Sequence, residues 1–406
     1  MPTPSLLIVP ARFKTGRLYS QIPTNTDNRG DFTVTRNTAA RRFNSAGLIE
    51  SVASGIPRLD YYTSSGVPGC PALLVEPAAT NALSYSEEFD NAAWGKSAMT
   101  VSTGTTALFT APDGTTNADK IIATSGNVAH NINRTGLASA AYTFSVFAKA
   151  GEESVMSLWL RGASVRAEFN LVSGTVSNIT TTSARIENYG NGWYRCTVYD
   201  STAGTTAHVY GRTGGAYAGN GSDGFYLWGA QLETGSVATS YIPTTAASGS
   251  RSADVISVSG AVSGSIGQTE GTIYAEVDVR NFVNFSRVVA LSNGTSSNSI
   301  NLQLYQDAGV KYLRVGLSFS GSGQVDIIAA MPNAVNKIAV GYKQNDFVVY
   351  LNGSSVGTDT SCSIPAMNKI DLGNFNGVNI IADRIRAAAL YTTRLTNAEL
   401  QSLTTL

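Results

Sequence analysis

"DGFYLWGAQLE" (residues 223–233) runs directly into "TGSVATSYIPTTAASGSRSADV" (234–255). In the first piece Tyr226, Trp228 and Ala230 alternate with Phe225, Leu227 and Gly229, the period of two that puts successive side chains on opposite faces of a strand. In the second piece Pro and small polar residues take over, the composition of a connecting segment. The stretch therefore closes one domain and leads to another. The boundary is expected near residues 246–265.

The same alternation governs the chain on both sides. In "YTFSVFAK" (142–149) Tyr142, Phe144, Val146 and Ala148 share a face. In "TIYAEVDVR" (272–280) Ile273, Ala275, Val277 and Val279 point one way, and Tyr274, Glu276, Asp278 and Arg280 the other. "YLRVGLSF" (312–319) and "KIAVGYK" (337–343) repeat the pattern. Strands at short spacing with Gly or Asn between them predict antiparallel sandwiches. Asn352-Gly353 within "DFVVYLNGSSVGT" (346–358) predicts a hairpin, because a type I′ turn needs two residues at positive φ. "DRIRAAALYTTRLTNAELQSL" (383–403) reads as a last strand and one short helix. Thr396 is the N-cap and Glu399 its capping-box partner, with Leu400 and Leu403 on the apolar face. Heptads and solenoid repeats are missing, so no fibrous shaft is encoded.

Composition narrows the class. The 406 residues allow two or three domains, and a 43% hydrophobic fraction supplies their cores. Only 14% of residues are charged, against roughly 25% in typical soluble domains. Ser, Thr, Asn and 40 Gly take their place. That mixture favours an all-β extracellular or virion protein over a helical cytosolic enzyme. A formal net charge of zero argues against nucleic-acid binding. No apolar run reaches the roughly 18 residues of a membrane span, and "PSLLIVP" (4–10) is too short for a signal h-region. One local charge excess exists: Arg12, Lys14, Arg17, Arg29, Arg36, Arg41, Arg42 and Arg58 outnumber Asp27, Asp31, Glu50 and Asp60. It reads either as a docking surface for an acidic partner or as Arg side chains paired within the fold.

Several segments carry a family resemblance. "FVVYLNGSSVGT" followed by "RIRAAALYTTRLTNAELQSL" resembles the end of concanavalin A-like, laminin G-type jelly rolls of bacteriophage fibre proteins. "GNGWYRCTVY" (190–199) and "YLWGAQLETGSVATSYIPTT" (226–245) resemble phage modules related to carbohydrate-binding β-sandwiches. "DFTVTRNTAARRFNSAGLIESVASGIPRLDYY" (31–62) followed by "CPALLVEPAATNALSYSEEF" (70–89) resembles the leader that precedes this module in phage structural proteins. The implied fold class is all-β: two antiparallel β-sandwich (jelly-roll) domains with an extended N-terminal segment and a short C-terminal helix. The expected division is a virion-anchoring leader over 1–79 and a carbohydrate-binding-module-like sandwich over 80–250. A linker over 251–265 and a concanavalin A-like jelly roll over 266–406 complete it.

The resemblance implies a virion surface fibre, on head or tail, made in the host cytoplasm and released by lysis. It implies a homotrimer that recognises a host or environmental glycan without catalysis. Arg12, Lys14 and Arg17 are the candidate contacts to another virion protein, and removing residues 1–40 is expected to leave both sandwiches folded. A purely structural decoration protein is the alternative reading, and a glycoside hydrolase the more distant one.

Sugar binding needs flat aromatic faces for C–H surfaces and nearby polar groups for hydroxyls. Trp159 falls opposite Met156, Leu158 and Leu160 in its strand. Tyr210 and Tyr217 flank the Gly-rich "GRTGGAYAGNG" (211–221), and Tyr305 and Tyr350 lie on strands of the second domain. These five are the candidate glycan contacts, with core or subunit packing as the competing reading of each. Trp193 and Trp228 are assigned to the core. Glu276 and Asp278 lie at i and i+2 like the paired acids of jelly-roll glycosidases, whose carboxyl groups stand about 5–5.5 Å apart in retaining enzymes. The third acid of that family pattern is replaced here by Arg280, so an Asp278–Arg280 pair is expected and no catalytic residue is assigned. His130 and His208 have no accompanying metal or triad pattern, and no G-x-S-x-G elbow appears. Cys70, Cys196 and Cys362 show no CxxC spacing, with Cys196 a buried thiol by its alternation. No metal site and no cofactor are expected.

Overall fold

A computed structural model describes residues 2–23, 30–161, 165–260, 264–307 and 309–406. Strand makes up 52% of the chain and helix 3%, so the all-β reading holds. The alternating stretches are strands with their apolar sets inward. In Ala140–Ala150 the side chains of Phe144, Val146 and Ala148 are completely buried. In Glu270–Asp278 those of Ile273, Ala275 and Val277 are too. Asn352 and Gly353 take φ of 50° and 84°, the turn expected between Asp346–Leu351 and Ser354–Asp359. The helix Asn397–Thr404 starts on the Thr396–Glu399 capping box.

Among the described residues the first sandwich consists of two six-stranded antiparallel sheets. One runs in the order Gly95–Ser97, Asn131–Arg134, Ala207–Gly211, Val155–Leu160, Val165–Asn170, Thr175–Ser177. The other runs Met99–Ser102, Asp119–Ala123, Gly224–Thr234, Ala140–Ala150, Trp193–Gly204, Ser183–Asn188. The inner faces meet over Phe144, Val146, Leu158, Ala167, Val209 and Leu227. Each of these side chains other than Ala167 contributes about 1.5–3 kcal/mol on burial. The second sandwich pairs an eight-stranded with a nine-stranded sheet. Strands Glu270–Asp278, Asp383–Tyr391 and Val335–Lys343 lie in the first of these, and Arg287–Ser292, Ser299–Asp307, Val310–Phe319 and Ser322–Ala330 in the second.

The N-terminal residues do not stand apart from this body. Leu6–Ile8 pairs with Asp383–Tyr391, placing Leu6 opposite Leu390, and Ala72–Val75 pairs with the other end of that strand. Phe32–Thr35 joins the nine-stranded sheet through Val255–Ser259. Leu6, Ile8, Leu18, Phe32, Val34, Leu73 and Val75 all belong to the second core. Deleting residues 1–40 therefore strips strands from both sheets of the second sandwich, against the expectation that this sandwich survives it. The region read as a linker is likewise stranded. Gly249–Arg251 pairs with Ala79–Asn81, and Val255–Ser259 lies between Phe32–Thr35 and Lys369–Leu372. Residues 261–263 of that region, and Asp27 and Arg29 of the basic segment, lie outside the described residues.

A buried ionic network locks these parts together. Arg36 meets Asp254 at 3.0 Å, Arg58 bridges Asp254 and Glu76, and Arg251 reaches Glu76 at 3.1 Å. Every side chain in it is at most 2% exposed. Ser240 adds its backbone N–H and hydroxyl to Glu76. The guanidiniums hold the Glu76 carboxyl far below its ordinary range, against the opposing effect of burial, the largest single influence on it. Arg36 and Arg58 of the N-terminal charge excess are thus internal pairing, and Arg42 pairs with Glu50 nearer the surface, because ions as deeply buried as the first two are tolerated only when matched.

Candidate functional site

The outer face of the nine-stranded sheet is covered on one side and open on the other. Over Lys369–Leu372 the segment 373–381 folds back, and the Asn376 N–H reaches the Asp371 carboxylate at 3.4 Å. Further along, among the described residues, a cleft of about 460 Å³ opens over the strands between Arg287 and Asp326. Strand register builds its lining. Arg287, Gln303 and Arg314 are cross-strand neighbours, as are Asn301, Gly316 and Asp326 in the adjacent row. All are the alternates of inward residues such as Leu302, Val315 and Val325. Gly316 leaves the middle of the cleft without a side chain.

The polar groups are oriented but not all satisfied. Arg314 forks onto Asp326 through hydrogen bonds of 2.6 and 2.8 Å. That pair is too exposed to add more than about 1 kcal/mol, so its effect is to fix the guanidinium plane. Asn301 donates to the Ser299 hydroxyl at 2.9 Å, and Arg287 donates from Nη1 to the Phe285 carbonyl at 2.8 Å. Asn301 Oδ1 and Arg287 Nε remain buried without a protein partner. Burial, aided by the nearby Arg314 charge, pulls the Arg287 pKa below its ordinary value. An unmet buried polar atom costs about 1–3 kcal/mol. A hydroxyl-bearing ligand supplies a donor for the amide oxygen and an acceptor for the guanidine N–H.

Aromatic rings lie beyond one end of the cleft, outside its lining. Tyr305 and Tyr312 face each other across the ladder, two positions beyond Gln303 and Arg314, with centroids 6.0 Å apart. Phe285 lies 5.7 Å from Tyr305 and is 48% exposed. The sequence singled out Tyr305. It missed Phe285, Tyr312 and the polar row, whose signal is only that they alternate with core residues.

The other candidates lie elsewhere. Tyr350 is buried on the opposite sheet, packed with Tyr274, Tyr391, Leu395 and Leu400 beneath the C-terminal helix. Trp159 does project from the outer face of the first sandwich, where it packs on Tyr210 at 4.1 Å, and His208 stacks on Tyr210 at 5.7 Å. The indole is nevertheless covered. Arg166 lies over it at 5.2 Å, and the Gly-rich loop comes so close that a Cβ on Gly214 would stand 2.2 Å from the ring. Tyr217 sits apart, on the ribbon formed by Gly126–Ala129 and Ala216–Gly219, against His130 and under Arg212. Burial is the main reason its phenol is pushed up to about 12. Trp193 and Trp228 are buried as assigned.

Asp278 is gripped by Arg280 through three contacts of 3.0–3.1 Å, the expected pair. Glu276 faces Arg386 at 3.5 Å. Arg12, Lys14 and Arg17 lie on the hairpin Phe13–Lys14/Arg17–Leu18 at the edge of the nine-stranded sheet, with Arg12 and Lys14 exposed around Tyr19. Cys196 and Cys362 are buried free thiols and Cys70 is exposed.

No protein-family model matches the chain, and no curated protein does. Similar solved structures include the CBM40 carbohydrate-binding module of a Ruminococcus gnavus IT-sialidase. It is 20% identical over 34% of this chain and 85% of that one, with a TM-score of 0.29. Domain 4 of an extracellular GH43 arabinanase from Geobacillus stearothermophilus, in complex with arabinotriose, is 15% identical over 37% and 73%, with a TM-score of 0.32. Trypanosoma rangeli sialidase in complex with the inhibitor DANA is 10% identical over 70% and 60%, with a TM-score of 0.27. At these values the likenesses bear on neither the ligand nor the activity of this chain.

Proposed function

We propose that this chain binds glycans without cleaving them, through the cleft on the outer face of the second sandwich. One observation carries the reading: Asn301 Oδ1 and Arg287 Nε are buried and unpaired in a cleft, and Tyr305, Tyr312 and an exposed Phe285 lie beyond one end of it on the same sheet. A pyranose ring offers hydroxyls to such atoms and a C–H face to such rings. Non-catalytic binding is supported by the state of the two acids that resemble a glycosidase pair, since Asp278 is committed to Arg280. We place this activity on a bacteriophage virion fibre of three copies, at head or tail, a setting supported by the sequence resemblances alone. In that setting Arg12, Lys14 and Arg17 face the neighbouring virion protein from an exposed sheet edge, and three weak sites gain by multivalency.

A glycan array probed with the purified full chain tests the binding, with release of reducing ends measured on every glycan bound. Binding that falls when Tyr305→Ala or Asn301→Ala is introduced, with no sugar release, supports the proposal. Absence of binding to every glycan points to a decoration protein instead, and release of sugar makes it an enzyme.

A further inference from the structure

Between the two sandwiches lies a second cleft, of about 600 Å³, distinct from the one above. The first sandwich contributes Arg185, Thr197 and Tyr199, and the second contributes Arg280, Gln306 and Lys311. Three cationic side chains line it, and no carboxylate does among the described residues. Arg185 and Arg280 are each held from behind by an acid, Arg185 by Glu187 at 2.9 Å and Arg280 by Asp278 at 3.0 Å. Arg185 also crosses the junction, donating to the Arg280 carbonyl at 3.0 Å and to the Asn281 side chain at 2.6 Å. Their guanidiniums are thereby fixed in place.

Lys311 is different. It is half-buried, lies 5.4 Å from the Phe282 ring, and belongs to no ion pair among the described residues. Burial disfavours its ammonium form, Asp383 opposes that effect, and the positive charge of Arg185 adds a smaller push in the direction of burial. Beside Arg185, on the paired strand, Thr197 is 7% exposed and its hydroxyl has no partner. A low-dielectric cleft with one sign of charge concentrates ligands of the other. We propose that this cleft binds the anionic group of an acidic saccharide, a carboxylate or sulfate on a hydroxylated chain. Lys311 provides a charge held in no ion pair among the described residues, Arg185 and Arg280 the oriented donors, and Thr197 a hydroxyl contact.

The test uses the full chain with polygalacturonate, dextran sulfate and neutral dextran as probes, followed by calorimetry at low and high ionic strength. The expected result is binding of an anionic polymer that weakens with salt and falls at least about tenfold in Lys311→Glu, with an unchanged melting temperature. The Lys14→Glu variant, altered at an exposed lysine far off in the fold, separates a built site from diffuse attraction. The Gly316→Ile variant, which fills the other cleft, is expected to bind the anionic polymer as the parent does. Preference for polygalacturonate assigns a carboxylate and preference for dextran sulfate assigns a sulfate; either supports the site. Failure to bind both anionic polymers overturns it. So does an equal loss in Lys14→Glu, or a loss confined to Gly316→Ile. The latter would place the anion on Arg287 and Arg314 and leave the glycan reading of that cleft to its own array.

Discussion

Replacing Gly316 by isoleucine separates binding from folding more cleanly than removing any side chain of the cleft. Gly316 sits mid-strand in Val310–Phe319, outside the left-handed region, and a Cβ there meets only the Val325 carbonyl, at 3.7 Å. That is ordinary van der Waals contact, so the backbone accepts a side chain without strain. A strand-interior glycine costs roughly 0.5–1 kcal/mol relative to alanine, and a β-branched residue improves on alanine in a pleated strand. Stability is therefore expected to rise by about 1 kcal/mol. The new side chain rises between Asn301 and Asp326, the cross-strand neighbours of Gly316. A ligand denied both forfeits two hydrogen bonds of about 1 kcal/mol each, a roughly thirtyfold loss of affinity. Urea unfolding gives the first quantity, and titration of the best array glycan gives the second. A variant at least as stable as the parent that still binds with parental affinity would refute the cleft as the binding site.

Asp254→Ala leaves the buried Arg36 and Arg58 short of one carboxylate and is expected to cost about 3–5 kcal/mol in chemical denaturation. A chain beginning at residue 41 loses Leu6, Ile8, Leu18, Phe32 and Val34 from the second core, and is expected to unfold or aggregate rather than yield two folded sandwiches in limited proteolysis. Asp119 is pushed up to about 7, by burial first and by the like charges of Asp90 and Glu88 after it, and Asp383 to about 6, again by burial. A carboxyl raised in the folded state contributes stability that is complete below its ordinary pKa and is lost as pH rises through the folded value. Melting temperature is thus expected to fall between about pH 4 and 7 on account of these groups, and Asp119→Asn to flatten that slope. Trp159→Ala removes the indole under the Gly214 loop and is expected to cost about 3–5 kcal/mol while leaving binding at the Arg287–Asp326 cleft intact.

How much of this was legible in the sequence depended on how local the signal was. Strands of nine to twelve residues announced themselves, because one alternating face had to be apolar over a long run. The Asn352-Gly353 turn and the Thr396 capping box were legible for the same reason: each is complete within a few residues. The N-terminal strands were not. Leu6–Ile8 is three residues long and Phe32–Thr35 four, too short for a period to declare itself. Their partners lie across the whole chain, as Leu6 does from Leu390. Nor could composition distinguish an Arg kept for a partner from one buried against Asp254, since the pairing spans residues 36 to 254.

The proposed binding face was harder still, for a reason built into sheets. Along a strand the core-facing residues are constrained by packing and the alternates are free, so the alternates are where function can be written without disturbing the fold. Arg287, Asn301, Gln303 and Arg314 are such alternates, and each reads singly as an unremarkable solvated position. Only register collects them, placing Gln303 beside Arg314 and Asn301 beside Gly316. Aromaticity was the one cue that survived in one dimension, and it could not tell which side of a sheet is covered. It singled out Tyr305, two positions beyond the cleft lining, but equally Tyr350, which the C-terminal helix hides, and Trp159, which a glycine loop hides. An aromatic alternate therefore marks an outer face, and what lies over that face decides whether it meets a ligand or the rest of its own chain.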